Sequence, residues 1–229
     1  MLCHGAFSGA WLWREVAQML RTAGHEVYTP TFTGTGQRVH LANPEVDLNT
    51  HIQDITMIFQ FEDLSDVILV GYSYSGSVIT GVAELIPELI QHMVFLDAFV
   101  HQDGQSQADI VGPDVMSGIN DAAQNVGDGW RITHNYQSPK PPAPRRTDLL
   151  LKTVLQPVSV INPKAAVLPR TFIYCLQGPK DLGPVGIPIT QAAEKAKLDD
   201  TWQYLEIDTG HNPWETAPQE LADLLLGIA

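Results

Sequence analysis

The chain has 229 residues, 44% hydrophobic and 17% charged, enough apolar material for one domain with a sizeable core and too little for a membrane protein. Lys+Arg number 13 against Asp+Glu 26, a formal net charge of −13, and a field of that sign repels a phosphate backbone or an anionic membrane. Nucleic-acid and membrane partners are therefore not expected.

Met1 to Ala10 carry no basic stretch of the kind that opens a secretory signal, so a cytoplasmic protein is expected. Leu2-Cys3 reads as a short strand, and Trp13 to Thr22 as a helix with Trp13, Val16 and Leu20 on one stripe. Gly24 is placed to end that helix, and a strand is expected after His25. Leu48 to Phe59 repeats the helical pattern through Leu48, Ile55 and Phe59. Val67 to Val70 and Met93 to Leu96 are continuous apolar runs, the pattern of buried parallel strands, with a helix-compatible Ser77 to Ala83 between them. From about His101 to Pro169 Gly, Pro, Asn, Asp and Gln are frequent, and Ser138-Pro139-Lys140-Pro141-Pro142-Ala143-Pro144 rules out regular structure locally. One helical pattern, Thr147 to Leu155, stands out there, and a stretch of such length points to a lid. Thr171 to Cys175 and the alternating Trp202 to Ile207 supply two more strands, and Ala217 to Leu225 a last helix. This alternation predicts an α/β fold with a mostly parallel sheet flanked by helices, residues 1–100 and 170–229 forming the core and 101–169 the lid. Cys3 and Cys175, the two cysteines, sit in apolar runs and imply no disulfide framework.

Directly after the strand at Val67 comes Gly71-Tyr72-Ser73-Tyr74-Ser75-Gly76 and then a helix. A strained strand-to-helix turn of this kind lifts a serine hydroxyl out at the carboxyl end of a sheet, which makes Ser73 a candidate nucleophile. The fifth position of G-x-S-x-G is Ser75 here, with Gly76 behind it. A base that follows the serine late in the chain is expected at His211, in Gly210-His211-Asn212 after the last strand. The acid has two candidates. Asp97 ends the strand at Met93 in apolar surroundings, where a carboxylate needs a partner; Asp181 follows the strand at Thr171 in Gly178-Pro179-Lys180-Asp181, a setting that also suits a solvated turn. His4 is read as a structural residue of the first loop, and His25, His51, His92, His101 and His134 as surface or packing residues. No His or Cys spacing suggests a metal.

On these residues the chain resembles the α/β-hydrolases, and within them the branch of plant methylesterases, hydroxynitrile lyases and small bacterial esterases. The signposts are His4-Gly5-Ala6 with Gly9-Ala10-Trp11, Gly24-His25 to Pro30, Thr33-Gly34, Gly71-Tyr72-Ser73-Tyr74 with Gly76, and Gly210-His211. The resemblance implies an α/β-hydrolase fold with a cap insertion, and an oxyanion hole formed by the N–H groups of Ala6, or alternatively Phe7, and Tyr74. It implies a serine carboxylester hydrolase taking a small, largely apolar ester through an acyl-enzyme, with no metal or organic cofactor. Trp130, His134 and Tyr136 would line the substrate pocket beneath the lid. A lactone or carbon–carbon bond hydrolase with the same triad, or a non-catalytic ligand-binding member, are the alternatives. Hydroxynitrile lyases of the branch carry threonine and lysine where this chain has Gly5 and Asn212, which argues against cyanohydrin cleavage. Plant methylesterases are apolar where this chain has Asp97, whereas bacterial relatives resemble Leu96-Asp97-Ala98-Phe99, which favours Asp97 over Asp181. The first central strand, with Met1 only three residues before His4, is shorter than the family's.

Overall fold

The continuous apolar runs form the centre of a parallel sheet in the computed structural model, which describes residues 1–134 and 145–229. In chain order the core elements are β1 (Leu2–Cys3), α1 (Arg14–Thr22), α2 (Leu48–Phe61), β2 (Val67–Tyr72), α3 (Ser75–Leu85) and β3 (Ile90–Leu96). The excursion that follows holds α4 (Gln107–Val111), α5 (Pro113–Val126), β4 (Arg131–Ile132), β5 (Leu149–Leu150), α6 (Leu151–Leu155) and α7 (Pro163–Ala166). The chain then returns through β6 (Arg170–Cys175), α8 (Gly178–Leu182), α9 (Ile187–Leu198), β7 (Trp202–Ile207), α10 (Pro213–Thr216) and α11 (Pro218–Leu226). The sheet runs β1-β2-β3-β6-β7 with every pairing parallel.

Because strand side chains alternate between faces, each buried strand feeds two cores. Leu69, Met93, Phe95 and Phe172 pack with α2, α3 and α9, while Val70, Tyr72, Val94, Leu96 and Ile173 pack with α1 and α11. Helices on both faces explain why these strands read as unbroken apolar runs. Helix α1 ends as its glycine predicts: Gly24 has φ +97, its N–H donates to Arg21 C=O, and the His25 N–H donates to Leu20 C=O, the paired bonds of a Schellman motif.

Three expectations need correction. No strand forms after His25: the segment carries no regular structure, and its link to the sheet is the Leu2 N–H donating to Tyr28 C=O at 2.9 Å, since the two-residue β1 leaves little edge to pair with. The pattern at Thr147 to Leu155 divides, because Leu149–Leu150 pairs antiparallel with Arg131–Ile132 before α6 begins. Helix α5, in a stretch read as mostly irregular, is built on Met116, Ile119 and Ala123 at helical spacing. The proline run at 138–144 and Tyr136 lie outside the described residues. Among the described residues no helix is long and apolar enough to cross a membrane.

Candidate active site

The β2–α3 turn sets the geometry. Ser73 adopts φ +55, a left-handed conformation that costs a non-glycine residue about 1–3 kcal/mol, and the turn is held by the Ser73 N–H donating to Leu96 C=O and the Phe99 N–H donating to Ser73 C=O. The glycine this elbow needs is Gly76: a Cβ there would sit 2.0 Å from the Phe99 carbonyl oxygen. Position 75 tolerates a side chain, and its hydroxyl donates to the His4 carbonyl, tying the elbow to the first loop.

His211, on the loop between β7 and α10, lies beside this turn. Its Nε2 is 2.9 Å from Ser73 Oγ and its Nδ1 is 2.6 Å from Asp97 Oδ2. With a carboxylate at Nδ1, the neutral ring carries its proton there and leaves Nε2 to accept from the serine hydroxyl. Asp97 is 1% exposed. A φ of +43 turns its side chain off the end of β3, and its Oδ1 also accepts the Cys175 N–H at 3.3 Å. Asp181 reaches the same histidine through a different atom, its Oδ2 accepting the His211 backbone N–H at 2.8 Å. Tyr72, whose phenol burial pushes upward, packs its ring 5.0 Å from the imidazole and donates to Asn212 Oδ1.

Two buried histidines brace the loops around the site. Phe32 N–H donates to His4 Nε2, so His4 Nδ1 carries the proton and donates to the Gly5 carbonyl. His51 Nε2 donates to the Thr33 carbonyl, leaving Nδ1 to accept from the Tyr74 hydroxyl at 2.8 Å. The Phe32 ring lies between the two, stacked on His51. Burial lowers His4 to about 3 and His51 to about 4, so both are neutral struts. The elbow residue Tyr74 is thereby fixed through its own side chain.

Ser73, His211, Ala6, Phe7 and Tyr74 face one cavity of about 270 Å³. Its other walls are mainly aliphatic: Val111 of α4, Met116 and Ile119 of α5, Leu149, Val154, Leu182 and Val185, with Gln107, Arg146, Asp181 and Asn212 among the polar members. Trp130 is not in this lining; it borders a separate hollow with Val39 and Asp148, its backbone bonded to Gly127 and Leu151. His134 touches the lining indirectly, edge-on to Phe7 at 5.4 Å. Of these aliphatic walls only Leu149 and Val154 fall in a pattern legible in the sequence, the one at Thr147 to Leu155. Among the described residues no cluster of three or more His, Cys, Asp or Glu could hold a metal ion.

A family model described as the alpha/beta hydrolase family matches residues 1–224. A carbendazim hydrolyzing esterase from Nocardioides sp. (strain SG-4G) is 54% identical over 106 residues, which are 46% of this chain and 44% of that protein. Methylesterase 1 of Arabidopsis thaliana is 32% identical over 111 residues, 44% of this chain and 39% of its own. The chain thus spans less than half the length of these curated relatives. A solved pyrethroid hydrolase from Sphingobium faniae JZ-2 superposes with a TM-score of 0.74 over 99% of this chain and 95% of its own, at 20% identity, a likeness of fold.

Proposed function

We propose that this chain, which belongs to the alpha/beta hydrolase family, is a serine carboxylester hydrolase acting on a small, largely apolar ester through an acyl-enzyme. The observation that carries this reading is the unbroken hydrogen-bonded series from Ser73 Oγ through the His211 ring to the Asp97 carboxylate, beside a cavity walled mainly by aliphatic side chains.

In the proposed reaction Ser73 Oγ attacks the ester carbonyl while His211 Nε2 takes its proton, and Asp97 stabilises the imidazolium that results. The oxyanion is held by the N–H of Tyr74, at the start of α3, with that of Ala6 or, alternatively, Phe7. The imidazolium returns its proton to the departing alcohol as the acyl–alcohol bond breaks. Water, deprotonated by the same Nε2, then attacks the acyl carbonyl and frees Ser73. Residues 101–169 serve as the lid, through α4, α5 and the β4–β5 hairpin. The small cavity and its aliphatic walls favour a compact apolar ester.

The test is a substrate panel of short aryl esters, carbendazim, a lactone and a β-diketone, run on the unaltered chain and on Ser73→Ala. Carbendazim belongs in it because a relative 54% identical over 106 residues is named for hydrolysing it. Esters should be turned over faster than the lactone or diketone, with kcat lowered roughly 10⁴-fold by Ser73→Ala. Full ester turnover by pure Ser73→Ala protein, or a preference for the lactone or diketone, would overturn the reading.

A further inference from the structure

Four arginines gather in one place on a chain whose formal net charge is −13. Arg14, Arg21, Arg145 and Arg146 line a single outer hollow of about 720 Å³, and among the described residues no carboxylate contributes to its lining. The arrangement has a simple origin in α1. Arg14 and Arg21 are seven residues apart, two turns, and so share one helix face, while Ala17 between them leaves the floor open. Arg145 and Arg146 close the opposite side from the segment that leads into β5. Among the described residues the ion pairs of arginine and lysine involve Arg38, Arg131, Lys152 and Lys197, and none involves these four.

Like charges that line one hollow repel one another. The other wall residues, among them Thr29, Gln37 and Thr147, are neutral and supply no counter-charge. Arg146 joins the hollow to the catalytic cavity: it lines both, and its guanidinium lies 5.9 Å from the ring centroids of Trp11 and Trp214, a stacked position that holds a cation in place.

We propose that this hollow is a binding site for a small polyanion, a molecule bearing two or more phosphate or carboxylate groups, seated against the catalytic cavity with Arg146 as the shared wall. Guanidinium groups suit this ligand because their planar fork of donors meets carboxylate and phosphate oxygens two at a time. A concave basic surface focuses anions locally even where the field of the whole molecule repels them. The size of the hollow and the net charge both argue for a small molecule rather than a nucleic acid.

The experiment is isothermal titration calorimetry of the full chain with pyrophosphate and, separately, with citrate, in sodium chloride of about 0.15 M so that general screening is constant. The double variant Arg14→Gln/Arg145→Gln is titrated in parallel. Both positions are exposed, and the pair leaves untouched Arg21, which donates to the Val27 carbonyl, and Arg146, which lines the catalytic cavity. Saturable binding of at least one anion is expected, weakened about tenfold or more in the double variant. Hydrolysis of a neutral ester by the anion-free double variant should stay unchanged, which shows that it is folded. The charge-retaining Arg14→Lys/Arg145→Lys variant should keep most of the affinity. No saturable heat from either anion up to about 10 mM, or equal affinity in the unaltered chain and a folded Gln variant, overturns the proposal.

Discussion

His211 is held by two carboxylates at two different atoms, Asp97 at its ring Nδ1 and Asp181 at its backbone N–H. The difference predicts unequal costs. In Asp97→Asn the amide presents a donor or a weaker, neutral acceptor to Nδ1, so the ring can move its proton to Nε2, where it can no longer accept from Ser73; kcat should fall at least about 10²-fold. Asp181→Asn keeps a carbonyl oxygen for the backbone N–H, so kcat should fall less than about 10-fold. Saturation kinetics on one ester decide it, and the reverse ranking would move the acid to Asp181. Ser73 and His211 were legible as candidates because a strand–turn–helix and a strand-end loop are local patterns. The choice between the aspartates was not legible from the residues alone, since each follows one of two neighbouring parallel strands, Asp97 directly after β3 and Asp181 beyond β6 within α8; the aim of Asp97 depends on a backbone φ of +43 that composition does not reveal.

Among the elements, β2, β3 and β6 follow from the sequence because strands buried on both faces must be apolar throughout, while β7, at the sheet edge, shows as the alternation of Trp202 to Ile207. The excursion does not. Helix α5 contains Gly118, Asn120, Asp121 and Asn125, poor helix formers that hide a helix made by the burial of Met116 and Ala123. At 149–155 a local helical pattern loses its first turn to the pairing with β4, a partner 17 residues upstream or more that local periodicity does not register. The aromatic roof expected over the substrate is replaced, among the described residues, by an aliphatic one. Met116→Ala should therefore enlarge the cavity and shift relative kcat/KM toward longer acyl chains by roughly 10-fold or more. Trp130→Ala, altering a residue outside the cavity, should leave the ranking within about threefold. A chain-length series of p-nitrophenyl esters reads both, and a large change of ranking in Trp130→Ala alone would return that residue to the substrate pocket.

For the molecule as a whole, three buried neutral histidines couple stability to pH. Burial lowers His4 to about 3, and His51 and His101 to about 4, from the ordinary 6.5. His101 is fixed by the Ser77 hydroxyl at Nε2 and by donating from Nδ1 to the Gln105 carbonyl. Between these values and 6.5 the unfolded chain binds more protons than the folded one, so stability rises with pH through that window. It is fully present above about pH 6.5 and is lost as pH falls toward 4, with each histidine contributing up to about 1.4 kcal/mol per pH unit. Denaturant unfolding at a series of pH values should show this fall, shallower in His101→Gln; constant stability from about pH 7 to 5 would contradict it. The role of Ser73 is tested most directly by intact-mass spectrometry after exposure to a fluorophosphonate, which acylation-competent serines attack. A single adduct, mapped to Ser73, is expected, absent from Ser73→Ala and formed at least about 10²-fold more slowly in His211→Ala. An unlabelled native chain, or equal labelling of Ser73→Ala, would contradict it.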